Sequence, residues 1–140
     1  MDVRRVLVVA NRTLCDPELL QALRHRGQSP PVQLHLVVPA SHPAGFWTDA
    51  RAEAEAQERL TAIVGALDAE GIHATGEIGD PSPVTAVRDV LRRQDFDEIV
   101  VSTLPSGLSR WLASGVVRRL SDLGLPVTHV VSGSQLPVDA

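Results

Sequence analysis

Two short polar stretches hold the residue types best suited to gripping an anion. One is Asn11-Arg12-Thr13, which follows the apolar run Val6 to Ala10. The other opens as Ser102-Thr103-Leu104-Pro105 and continues as Ser106-Gly107-Leu108-Ser109-Arg110. Hydroxyl side chains can donate hydrogen bonds, Gly107 lets a backbone approach a ligand closely, and Arg12 and Arg110 supply charge. If a helix starts just after Gly107, its first N–H groups face the same point with a partial positive dipole behind them. The chemistry that suits this pattern is the binding of a phosphate or a similar small anion. The plainer alternative is that Pro105-Ser106-Gly107 is only a turn that caps a helix.

Other chemistry-bearing residues are more isolated. Cys15 stands just before an expected helix start, where a thiolate is favoured, yet a lone cysteine is usually a small packing residue, and that is the reading adopted. His35 and His129 fall inside expected strands and read as sheet-face histidines, with no His-x-x-x-His pair to suggest a metal. A Ser109–His129–Asp triad stays open, although Gly107-Leu108-Ser109-Arg110-Trp111 lacks the second Gly of a nucleophile elbow. Asp80 is expected to hold a turn rather than to act as a base. Neither a P-loop nor a Gly-x-Gly-x-x-Gly fingerprint occurs.

Composition narrows the field further. A chain of 140 residues is long enough for one domain with its own core. A net charge of −4 argues against nucleic acid as a partner, because phosphate neutralisation needs a basic surface. The arginine pairs Arg4-Arg5, Arg92-Arg93 and Arg118-Arg119 read as solvated faces. The single cysteine leaves no internal disulfide and no Cys-based zinc site. No stretch approaches the roughly 20 apolar residues of a membrane span, and Val6 to Ala10 is too short for a signal peptide. The expectation is a cytoplasmic protein with neither a membrane nor a nucleic-acid partner.

Positioning the two polar stretches requires strands that end at them. Val6 to Ala10 is apolar without alternation, as in a strand buried on both faces of a parallel sheet. Asp16-Pro17-Glu18 then announces a helix with Asp16 as its cap, closed by Gly27. Val32 to Val38 reads as the second strand and Thr48 to Glu70 as a long helix whose stripe is Ala52, Ala56, Leu60, Ile63, Val64 and Leu67, closed by Gly71. Ile72 to Ile78 alternates, as an edge strand does. Ser82-Pro83 starts a third helix running to about Gln94, Glu98 to Ser102 forms the fourth strand, Leu108 to Leu123 the last helix, and Pro126 to Val131 the fifth strand. Strands alternating with helices imply a doubly wound α/β fold around a five-stranded parallel sheet. The domain spans residues 1–132, and 133–140 reads as a tail. Ligands of such sheets bind beyond the carboxyl ends of the strands, where strand order reverses.

The order of elements, the Gly79-Asp80-Pro81 turn before the third helix, and the closing strand-loop-helix-strand that reaches Pro126-Val127 resemble the universal stress protein family. The resemblance runs from Val6 to Val131, and Ser102 to Leu112 is similar to a bacterial subgroup with a degenerate ATP-binding loop. It implies strand order 3-2-1-4-5, a flavodoxin- or Rossmann-like sheet of the adenine nucleotide alpha hydrolase-like kind, homodimerisation, and ATP or AMP as ligand in some members. It also implies a site built from Asn11, Arg12, Val37, Ser102, Thr103, Gly107, Ser109, Arg110 and Ser114, with Val37 beside the base. Nucleotide-binding members carry an Asp at the end of the first strand, a Gly-x-x-Gly after the fourth, and a later Gly-Ser or Gly-Thr. Here Asn11 takes the place of that Asp, Ser102 takes that of the first Gly, Pro105 and Gly107 lie where the second belongs, and Ala113-Ser114-Gly115 approximates the last. The reading is a small binding or regulatory module for an adenine nucleotide or another small anion. A protein-interaction module without a small ligand is the alternative, and a weak nucleotide hydrolase comes last.

Overall fold

Val6 to Val9 and Ile99 to Val101 are apolar on successive residues because both faces of their strands are covered. The computed structural model describes residues 3–14, 16–28, 31–40, 47–105, 111 and 114–132. Within them run β1 (Arg4–Val9), α1 (Pro17–Gly27), β2 (Val32–Pro39), α2 (Trp47–Ala69), β3 (Ala74–Gly79), α3 (Pro83–Leu91), β4 (Glu98–Thr103), α4 (Val116–Ser121) and β5 (Val127–Val131). The five strands form one parallel sheet in the order β3-β2-β1-β4-β5. This is the doubly wound α/β architecture expected from the alternation of elements, and β3 lies at an edge, as its alternating pattern implies.

Period-two geometry splits each central strand between two cores. Val6, Val8, Leu34, Leu36 and Val100 face α1 and α2, meeting Leu19, Leu23, Ala56, Leu60, Ile63 and Leu67. Leu7, Val9, Val37, Ile99 and Val101 face α3 and α4, meeting Val84, Val87, Val90, Val116 and Leu120. Each wholly buried Leu or Val contributes roughly 1.5–3 kcal/mol relative to exposure, so two such layers are what fix the sheet between its helices.

Local signals set the boundaries. Ser82 accepts from the Thr85 N–H at 3.4 Å and Pro83 follows it, which starts α3. Asp80 accepts from the Ser82 N–H at 2.8 Å and so holds the preceding turn. Gly71 adopts a φ of 79°, and the Ile72 N–H donates to the Leu67 carbonyl at 2.9 Å, which closes α2 in a Schellman arrangement. Ile72 is therefore used by the helix cap and packs into the α1/α2 core, and β3 begins at Ala74 instead of at Ile72.

Two expectations about charged residues change. Asp16 precedes α1 in extended conformation but makes no side-chain cap. Its carboxylate instead accepts from the Ser132 hydroxyl at 2.5 Å. Arg118-Arg119 is exposed, as expected of a solvated face, whereas the Arg4-Arg5 and Arg92-Arg93 pairs are engaged. Arg4 reaches Glu98 at 3.1 Å, Arg5 lies 5.5 Å from the centre of the Phe96 ring, and Arg93 pairs with Glu77. Glu98 is buried at the amino end of β4, where Arg26 and the Thr128 hydroxyl also bind it, at 2.7 and 3.1 Å.

Candidate functional site

β1 sits between β2 and β4, and the chain crosses the sheet on leaving β3 by way of α3 to reach β4. The carboxyl ends of β1 and β4 therefore form the topological switch point of this sheet. Val9 pairs with Val101 in register, so Ala10 and Ser102, then Asn11 and Thr103, come out side by side. Asn11-Arg12 and the Ser102-Thr103 opening of the second polar stretch thus meet at this switch point.

Asn11 is half-buried and is engaged at both ends of its amide. Its Nδ2 donates to the Pro39 carbonyl at the end of β2 at 3.1 Å, and its Oδ1 accepts from an Arg59 Nη at 2.6 Å. Arg12 is exposed beside it. Thr13 folds back under the crevice, where its hydroxyl lies 2.5 Å from that of Ser102, with both residues 2% exposed. Thr103 is equally buried and its hydroxyl shares a hydrogen bond of 2.8 Å with His129 Nε2. Burial pushes the His129 imidazole below its ordinary value, so the neutral ring is the favoured partner of Thr103. Ser132 completes the floor: it is fully buried, its N–H donates to the Thr103 carbonyl at 2.9 Å, and its hydroxyl donates to Asp16.

The remaining site expectations fall differently. Val37 is fully buried against the α3/α4 core, and the Val37 carbonyl accepts from the Ala10 N–H at 3.4 Å. Ser114 is exposed and donates to the Trp111 carbonyl at 3.2 Å, just before Gly115 opens α4 with a φ of 71°. Gly107, Ser109, Arg110 and Cys15 lie outside the described residues, as does the 133–140 tail.

Arg59 is the residue that sequence reading passed over. A signal existed: Arg59 lies three positions after Ala56 and four before Ile63, both buried, so the helix turns it toward the sheet. A long cationic side chain at the upper end of such a stripe can lay its stem on the core and deliver its guanidinium to the strand tips.

A second polar cluster lies on the opposite face near the β3 edge. His35 Nδ1 is 2.7 Å from the Thr75 hydroxyl, its ring stacks on Phe96 with centroids 6.1 Å apart, and its Nε2 is 3.5 Å from the Glu77 carboxylate. Burial acts to raise the Glu77 carboxyl, but hydrogen bonding and charge from Arg93, with His35 behind it, outweigh that and hold it below the ordinary value. The cluster gives His35 Nδ1 a hydrogen bond with Thr75 and leaves the buried Nε2 without one, and the ring lies between β3 and Phe96 in keeping with the sheet-face reading of His35. Among the described residues, no three His, Cys, Asp or Glu side chains gather as a metal site, and no helix is long and apolar enough to cross a membrane.

With this geometry in place, the similarity to solved proteins is specific in fold. The chain is similar to the universal stress protein from Archaeoglobus fulgidus, with a TM-score of 0.66 at 16% identity over 91% of this chain and 93% of that one. It is similar to a universal stress protein family protein from Arabidopsis thaliana with AMP bound, with a TM-score of 0.64 at 17% identity over 97% of each chain. The Archaeoglobus fulgidus protein in complex with dAMP gives 0.64 at 16% identity over 92% and 98%. No family model and no curated protein matches. The chain is a doubly wound α/β protein with the universal stress protein fold.

Proposed function

We propose that this chain is a small binding or regulatory module that takes an adenine mononucleotide, AMP or ATP, or another small anion at the carboxyl ends of β1 and β4. The observation that supports this most is the junction of Asn11-Arg12 with Ser102-Thr103 at the switch point of a fold whose solved relatives include proteins with AMP and dAMP bound. Asn11 and Arg12 would meet the ligand from β1. Gly107, Ser109, Arg110 and Ser114 would contribute from the segment after β4. Ser102 and Thr103 would act through their backbone, since their hydroxyls face Thr13 and His129. Val37 would support the base from beneath. The module would act as a cytoplasmic homodimer without catalysis of its own.

Ligand-induced thermal stabilisation tests this directly, since a ligand bound only by the folded state raises the melting point as its concentration exceeds Kd. AMP and ATP should raise it, and Gly107→Trp should abolish the rise. No shift with either nucleotide at millimolar concentration sinks the nucleotide reading.

A second reading is an interaction module that works through β5. It is favoured by the position of β5 at the sheet edge with Val131 42% exposed, because an open edge strand can pair with another chain. Light scattering that shows a dimer disrupted by Val131→Lys, together with an absence of any nucleotide shift, would select it.

A further inference from the structure

The crevice already contains a competitor for its own ligand. In an open parallel sheet the side chain at the end of the central strand faces whatever enters at the switch point, and here that side chain is Asn11. Its amide has one acceptor oxygen and one NH2 group. The NH2 is committed to the Pro39 carbonyl, which fixes which way the amide faces. The oxygen, the acceptor that a ligand hydroxyl would need, receives the Arg59 guanidinium at 2.6 Å. A charged donor holds a neutral acceptor roughly twice as strongly as a neutral hydroxyl does. A sugar hydroxyl arriving at Asn11 therefore exchanges a stronger bond for a weaker one.

We propose that the Arg59–Asn11 contact is an internal clasp that sets the affinity and selectivity of this crevice. It opposes ligands that recognise Asn11 through hydroxyl groups, and binding of a nucleoside requires Arg59 to swing away from the end of β1. The inference rests on the ligand site proposed above. Because Arg59 belongs to α2, occupancy of the crevice is coupled to the position of that side chain on the helix covering β2 and β3.

Calorimetric titration of the full chain with adenosine and with AMP tests the clasp. Adenosine presents the ribose hydroxyls without a phosphate, so its response is free of charge attraction to Arg59. Arg59→Met keeps the apolar stem and removes the donors; it should bind adenosine about tenfold more tightly than the wild type, the scale of one charge-assisted hydrogen bond. The gain should vanish in the Asn11→Ala/Arg59→Met double variant. Unchanged or weaker adenosine binding by Arg59→Met, with the wild type still binding AMP, overturns the clasp and leaves the ligand site standing. Failure of both the wild type and Arg59→Met to bind adenosine or AMP overturns both. A readout that needs no variant is the Arg59 Nε–H resonance, which must shift when AMP is added to the wild type; a resonance that stays in place while AMP binds also overturns the clasp.

Discussion

Thr13 and Ser102 share a hydrogen bond of 2.5 Å between hydroxyls that water barely reaches. The bond ties the loop after β1 to the end of β4 and fills the space beneath the crevice with side chain. Ser102→Ala should leave the Thr13 hydroxyl buried with that partner removed, at about 1–3 kcal/mol of unfolding free energy. Thr13→Val with Ser102→Ala should recover much of the loss, because an apolar pair leaves nothing unsatisfied. Urea denaturation of the three variants checks this, and an additive double variant would refute the pairing.

Glu98 should matter more to stability than any surface ion pair. It is 5% exposed and bound by Arg26, Arg4 and Thr128. Glu98→Ala strips the carboxylate from a mostly buried Arg26 guanidinium and should cost about 3–5 kcal/mol. Arg4→Ala removes a partner that is 54% exposed and should cost at most about 1 kcal/mol. Comparable losses from the two in denaturant titrations would refute this ranking.

Acid should destabilise the protein in two stages. His129 is held below its ordinary 6.5 by burial. The unfolded chain therefore takes up a proton below that pH while the folded one resists, and stability falls as the pH drops from there. Glu98 and Glu77 are held below 4.5, because the arginines outweigh the opposing effect of burial. Their contribution is complete above 4.5 and is lost as the pH falls through their lowered folded values. His129→Gln should flatten the upper stage alone, as read from melting temperatures across the range. A stability that rises on acidification from neutrality would contradict the His129 assignment, and one that does not fall below 4.5 would contradict that of Glu98 and Glu77.

Gly76 has a packing role in β3. A Cβ there would lie 2.5 Å from Leu60 Cδ1 and 3.2 Å from the Leu36 carbonyl oxygen. Gly76→Ala should cost about 1–3 kcal/mol by forcing α2 away from the edge strand. Leu60→Val in the same chain should relieve part of that cost. An Ala at 76 that stabilises the protein would show that Leu60 moves aside freely.

Much of the architecture was legible because its signals are local or periodic. Pro17, Ser82-Pro83 and Gly71 mark helix ends through their own backbone preferences, and continuous apolar runs mark strands covered on both sides. Those features determine a doubly wound sheet and place Asn11 and Ser102 at strand ends before any coordinate is known. What the polar side chains do there was decided only by tertiary structure. Asn11 meets Arg59 across 48 positions of sequence, Thr13 meets Ser102 across 89, and Asp16 meets Ser132 across 116. A carboxylate before a helix has a local cap within reach, and only the arrival of β5 shows that Asp16 holds Ser132 instead. Sequence pattern records which face of an element is buried, because burial follows periodicity. It does not record which of several capable donors reaches an acceptor first, because that depends on distances set by the packing of the whole sheet and its helices.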